Sequence, residues 1–98
     1  MNVIEEIQIS PIKPNNGLVA FASIVIDKHL YLGSIGIVTR PNGGYRLVYP
    51  TKKIGNSSIN LFYPINKEFA DYIEAVILKV YEDVMSKSNV RHSSTGIG

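Results

Sequence analysis

The sequence contains no cysteine. Without thiols there is no disulfide framework, no thiolate metal site and no cysteine nucleophile, which fits a reducing compartment. Long hydrophobic runs are missing as well. The longest, around "GLVAFASIVI" at residues 17–26, is about half of what a bilayer needs and is rich in small and β-branched residues. No membrane span is expected. The first ten residues, "MNVIEEIQIS", lack the basic stretch of a signal peptide and carry Glu5 and Glu6, so export is not expected and the cytoplasm is the anticipated location.

The most informative shortage is local. Between Asp27 and Glu68 there is no acidic residue, while Lys28, Arg40, Arg46, Lys52, Lys53 and Lys67 all fall in that span. The next segment reverses the sign, with Glu68, Asp71, Glu74, Glu82 and Asp83 against Lys79 alone. A formal net charge of +2 conceals this polarity.

What is present describes one folded domain. The chain has 98 residues, 45% hydrophobic and 18% charged, which suits a single modest core and not a disordered segment. Residues 1–85 read as the domain and 86–98 as a flexible polar tail, because "SKSNVRHSSTGIG" has too little apolar content to pack.

Within the domain, Val3, Ile7 and Ile9 alternate with Glu6 and Gln8 and predict a first strand over 3–9, interrupted at position 5. "SPIKPNNG" has the chemistry of a loop. "LVAFASIVID" predicts a central strand, with Val19, Phe21 and Val25 on one face and Leu18, Ile24 and Ile26 on the other. Asp27-Lys28 is a tight connection to a third strand whose Gly33 and Gly36 suggest a bulge or a close approach. Asn42-Gly43 predicts a two-residue hairpin turn. The fourth strand, "YRLVYP", turns Tyr45, Leu47 and Tyr49 to one side and Arg46 and Val48 to the other. Thr51 to Ser58 reads as a loop and "INLFYP" as a short fifth strand.

One long helix follows. Asn66 suits its N-cap, Glu68 and Asp71 sit where the helix dipole favours negative charge, and Phe69, Ile73, Val76, Ile77, Val80 and Val84 recur at spacings of three and four. The expected fold is therefore α+β: an antiparallel five-stranded meander with one long C-terminal helix on one face. A single helix leaves the other sheet face uncovered, so a homodimer is expected.

These residues carry a resemblance. "ASIVID" at Ala22–Asp27, "PTKK" at Pro50–Lys53 and "YPIN" at Tyr63–Asn66, in that order and ahead of an amphipathic helix, resemble the Ala-Ser-hydrophobic strand, the Pro-Ser-Lys-Arg loop and the His-Pro-Ile-Asn helix entry of the SpoVG family of bacterial septation and sporulation proteins. The resemblance covers about residues 3–84. It implies a small dimeric protein that binds DNA or RNA and regulates gene expression, with Lys52 and Lys53 in the nucleic-acid contact. The chain departs from that pattern at Gly36, where the family carries an arginine, and at "SSINLF", where it carries a charged approach to the fifth strand.

Independently of the resemblance, lysines on a loop neutralise phosphates as flexible point charges, and Arg46 and Arg40 lie near enough in sequence to join them. Tyr45, Tyr49, Phe62 and Tyr63 have rings that stack on bases, but aromatics on short strands are expected in the core. Asp27 and His29 have no third ligand at a motif spacing, so they read as a turn aspartate and an edge histidine, with no metal and no cofactor. No nucleophile–base pair is present, and neither catalysis nor a small-molecule substrate is expected. The competing reading is a strand-pairing protein-interaction module whose lysines serve only solubility.

Overall fold

The computed structural model describes residues 3–97, with side chains through Lys87. Four strands form one antiparallel sheet in the order β1 (Ile4–Asn15), β2 (Leu18–Ile26), β3 (Leu30–Thr39) and β4 (Tyr45–Val48). Two more, β5 (Thr51–Ile54) and β6 (Ser57–Asn60), pair only with each other, and α1 (Lys67–Ile97) follows. The expected α+β class and meander are present, but the fifth strand is not. In its place is a separate two-stranded ribbon covering most of the segment expected to be a loop.

The first strand is longer than its alternation suggests. It runs through Pro11 and Pro14 to Asn15, where a loop was expected, because β1 has a neighbour on one side only and can dispense with proline's missing donor. The interruption at position 5 is a bulge. Glu6 has a positive φ of 49°, and from Glu5 to Gln8 the strand advances three residues while β2 advances two, from Val25 to Ser23. The extra residue resets the alternation, so Ile4, Ile7 and Ile9 all pack toward the core.

The turns follow backbone chirality. Asn16 and Gly17, both with positive φ, close the first hairpin between Asn15 and Leu18. Asp27 and Lys28 do the same for the second, where the His29 amide donates to the Ile26 carbonyl at 3.0 Å. The third turn differs from expectation: Asn42 does not take a positive φ, and Gly43 and Gly44 do. Pro41 and Asn42 instead occupy a turn in which the Gly43 amide donates to the Arg40 carbonyl at 3.0 Å, as Pro in the second position favours.

The core lies between one sheet face and α1. Ala20, Ala22 and Ile24 of β2 and Ile35 and Ile37 of β3 meet Ile73, Ile77 and Tyr81 of the helix. Helix residues Phe69, Ile73, Ile77, Tyr81 and Met85 are spaced by four and make one ridge of core contacts. Tyr81 was not anticipated in that stripe; its ring packs edge-on against Tyr45, centroids 5.0 Å apart. Asn66 caps the helix as expected, its Oδ1 accepting from the Phe69 amide at 2.7 Å. The backbone stays helical to Ile97, past the boundary expected at residue 85. The side chains of the expected tail lie, from residue 88, outside the described residues.

On β2 the expected faces hold from Phe21 onward and exchange at the start. A register shift between Leu18 and Ala20 brings Val19 to the core and turns Leu18 over Gly36, where a Cβ would meet Leu18 Cδ1 at 3.0 Å. On that outer face Phe21 pairs across Gly36 with Val48, and both remain partly exposed, at 38% and 37%. Tyr49, by contrast, turns inward beside Phe62, and its hydroxyl is buried without a hydrogen-bond partner among the described residues. Burial, and secondarily the Glu74 carboxylate, push its pKa up to about 12. Burial does the same for Tyr81, with the Tyr45 phenol as the lesser cause.

Two outcomes follow for stability. Ile77→Ala, at a fully buried site, should cost about 2–5 kcal/mol and Asn66→Ala about 1 kcal/mol, read by urea unfolding; equal small losses would mean that the helix ridge does not hold the sheet. Tyr49 and Tyr81 both hold their protons more tightly when folded than at the ordinary value of 10.0. Their contribution is complete below pH 10 and lost as pH rises from there through about 12. Tyr49→Phe should leave stability at neutral pH unchanged or higher and make the alkaline decline shallower in unfolding curves taken across that range. A weaker neutral-pH fold in that variant would show that the hydroxyl has a partner.

Candidate nucleic-acid interface

The ribbon is built by local chemistry. Gly55 and Asn56 separate Ile54 from its partner Ser57, and Gly55 alone takes a positive φ, 60°. That is the pattern of a two-residue turn with glycine first, whose twist suits a hairpin. Gly-Asn between two short runs carrying β-branched residues was the available signal for this hairpin in the sequence. At the base the Leu61 amide donates to the Pro50 carbonyl at 2.8 Å and holds the two arms together. All eight strand residues are exposed.

Lys52 and Lys53 are thus strand residues, not loop residues, and their relation changes accordingly. Successive side chains on a strand point to opposite faces. Lys53 lies opposite Ser58 and shares its face with Thr51 and Asn60, which pair with each other. Lys52 lies opposite Ile59 and shares its face with Ile54 and Ser57. One face is entirely polar; the other holds two isoleucines, 55% and 48% exposed.

The two arginines are placed differently. Arg46 on β4 pairs with Val38 and is exposed on the outer face of the sheet. Arg40 is held at the other side: its Nε donates to the Tyr45 carbonyl at 2.9 Å, and its guanidinium lies 4.0 Å from the Glu74 carboxylate of α1. Its charge is already shared with the helix. Lys67, the last base of the acid-free span, donates to Asp71 one turn on at 2.7 Å. That hydrogen bond, reinforced by the Asp71 charge, raises the Lys67 pKa above its usual value. Of the four candidates, the structure brings Lys52 and Lys53 into one ribbon, on opposite faces, and leaves Arg46 on the sheet; Arg40 serves the fold.

The aromatics divide three to one. Tyr45, Tyr49 and Phe62 pack against the core as expected, whereas Tyr63 is 57% exposed and departs from that expectation, because Pro64 turns the chain toward the helix start immediately after it. Thr51, Ser58 and Asn60 were not anticipated as companions of a lysine, since only the strand pairing puts them beside one. Asp27 and Lys28 form the second hairpin turn, and His29 is exposed. Among the described residues no group of three or more His, Asp or Glu side chains could hold a metal, and no helix is long and apolar enough to cross a membrane.

A comparison with protein families matches the SpoVG family over residues 1–83. Among curated proteins, the "Putative septation protein SpoVG" of Treponema denticola is 30% identical over 80 residues, which cover 81% of this chain and 85% of that one. The matched span includes the whole sheet, the ribbon with Lys52 and Lys53, the Asn66 cap and the helix ridge through Tyr81. On these grounds the chain belongs to the SpoVG family.

Proposed function

We propose that this chain is a nucleic-acid-binding bacterial regulator, acting on septation or sporulation by influencing gene expression in the cytoplasm. The observation that carries the reading is the exposed ribbon with two lysines, inside a stretch of forty residues without an acid, residues 28–67. Exposed lysines with no carboxylate close in sequence keep their charge for a polyanion. Binding of this kind releases condensed counterions, so it is strongly salt-dependent and largely blind to sequence. Arg46 extends the positive surface onto the sheet, and Arg40 contributes less because Glu74 partly neutralises it. The family membership and the septation name of the relative support the cellular role.

The protein works as a homodimer in this reading. Leu18, Phe21, Val38 and Val48 give the outer sheet face an apolar centre that α1 does not cover, and a second copy is the cover that brings two ribbons into one assembly. Doubling the lysines then raises affinity through effective concentration without a new contact.

Two measurements bear on this. In a polarisation titration with labelled DNA or RNA at roughly 50 and 200 mM salt, the Lys52→Ala/Lys53→Ala double variant should bind more weakly and with a shallower salt dependence. Unchanged binding would remove the ribbon from the interface, and a wild type that binds neither probe at low salt would favour the protein-interaction reading. Sedimentation equilibrium should give twice the chain mass of 10.8 kDa, and Phe21→Glu should shift it toward the monomer; a wild-type monomer at micromolar concentration would sink the dimer.

A further inference from the structure

Resting on the nucleic-acid reading above, we infer that the ribbon meets the phosphate backbone with one face only, the face of Thr51, Lys53, Ser58 and Asn60, and that Lys53 alone supplies its charge. The basis is the strand register. Lys52 pairs with Ile59 and Lys53 with Ser58, so the two ammonium groups leave the ribbon in opposite directions. A ribbon about one side chain thick cannot lay both faces on the same phosphate row.

The two faces differ in what they offer an anion. A phosphate loses water on contact and needs donors to replace it. On the Lys53 face the Ser58 hydroxyl is directly opposite the lysine, and the Thr51 hydroxyl and Asn60 amide form the next pair along. Hydroxyls, amides and lysines are the side chains that hold phosphate and sugar oxygens. On the Lys52 face the neighbours are Ile54 and Ile59, more than half and nearly half exposed, with Ser57 as the sole other donor. Lys52 there has apolar side chains for neighbours, and a phosphate would be desolvated without compensation.

The sequence conceals this asymmetry. In a loop, Lys52 and Lys53 would converge freely on one ligand; in a strand they cannot. A basic pair therefore acts as one contact and one bystander, and the loss that matters is confined to a single position.

Single variants measure the division. Lys52→Ala, Lys53→Ala, Lys53→Arg and Ser58→Ala are compared by polarisation against a short duplex DNA and a single-stranded RNA, from roughly 50 to 200 mM salt. Lys53→Ala should lower the slope of log K against log salt by about one unit, Lys53→Arg should restore it, and Lys52→Ala should leave it at the wild-type value. Ser58→Ala should weaken binding with the slope unchanged, as an uncharged contact does. Loss on both probes supports a shared phosphate contact, and loss on one supports the same face and names the nucleic acid it takes. All three positions tested are exposed, so thermal unfolding should not change and a folding defect would be visible separately. Equal losses from Lys52→Ala and Lys53→Ala, or a larger one from Lys52→Ala, overturn the one-face assignment while leaving the nucleic-acid reading intact. A wild type that binds neither probe overturns that reading itself.

Discussion

The whole structure depends on one packing arrangement: a single helical ridge laid over a single sheet face. Ala20, Ala22 and Ile24 of β2 and Ile35 and Ile37 of β3 form one cluster with Ile73, Ile77 and Tyr81 from which water is excluded. The described residues hold no second helix, so the remaining apolar side chains are distributed by default. Phe21 and Val48 stay on the uncovered face, and the strands after Pro50 have no sheet to join. Both features proposed to meet other molecules are thus what is left after the only available core has been made.

The polarity of charge follows the same division. Glu74 of α1 lies beside Arg40, and their 4.0 Å pair links the β3–β4 turn to the helix. Such an exposed pair contributes little stability. It does lower the positive potential beside Arg40, while Lys52 and Lys53 of the ribbon and Arg46 of the sheet have no ion pair among the described residues. Glu74 also faces the buried Tyr49 phenol, reinforcing its neutral form. One carboxylate therefore tempers two neighbours.

Much of this was legible beforehand. Alternation in "YRLVYP" put Tyr45, Leu47 and Tyr49 on one side, which is the side that packs on the core, and Asn66 announced its cap, because both depend on residues close in sequence. What escaped were events that alternation cannot register. The pattern showed a break at position 5 but not its cause, an inserted residue at Glu6 that shifts every later side chain on the strand. Tyr81 continues the ridge, but its hydroxyl kept it out of an apolar pattern. In the site, the residue types were visible and their directions were not. Lys52 and Lys53 are adjacent in any reading; only the pairing of Ile54 with Ser57 decides that they diverge.

The passage of β1 through two prolines has a protective side. A sheet edge with regular free donors invites another chain to continue the ladder, and repeated continuation leads to fibres. Here the outer border of β1 is broken by the Glu6 bulge near one end and by Pro11 and Pro14 toward the other, with a register irregularity between Pro11 and Asn15. Little uninterrupted ladder remains for an intruding strand to copy. A domain whose outer sheet face keeps Phe21 and Val48 partly exposed is thereby guarded against open-ended growth along this side.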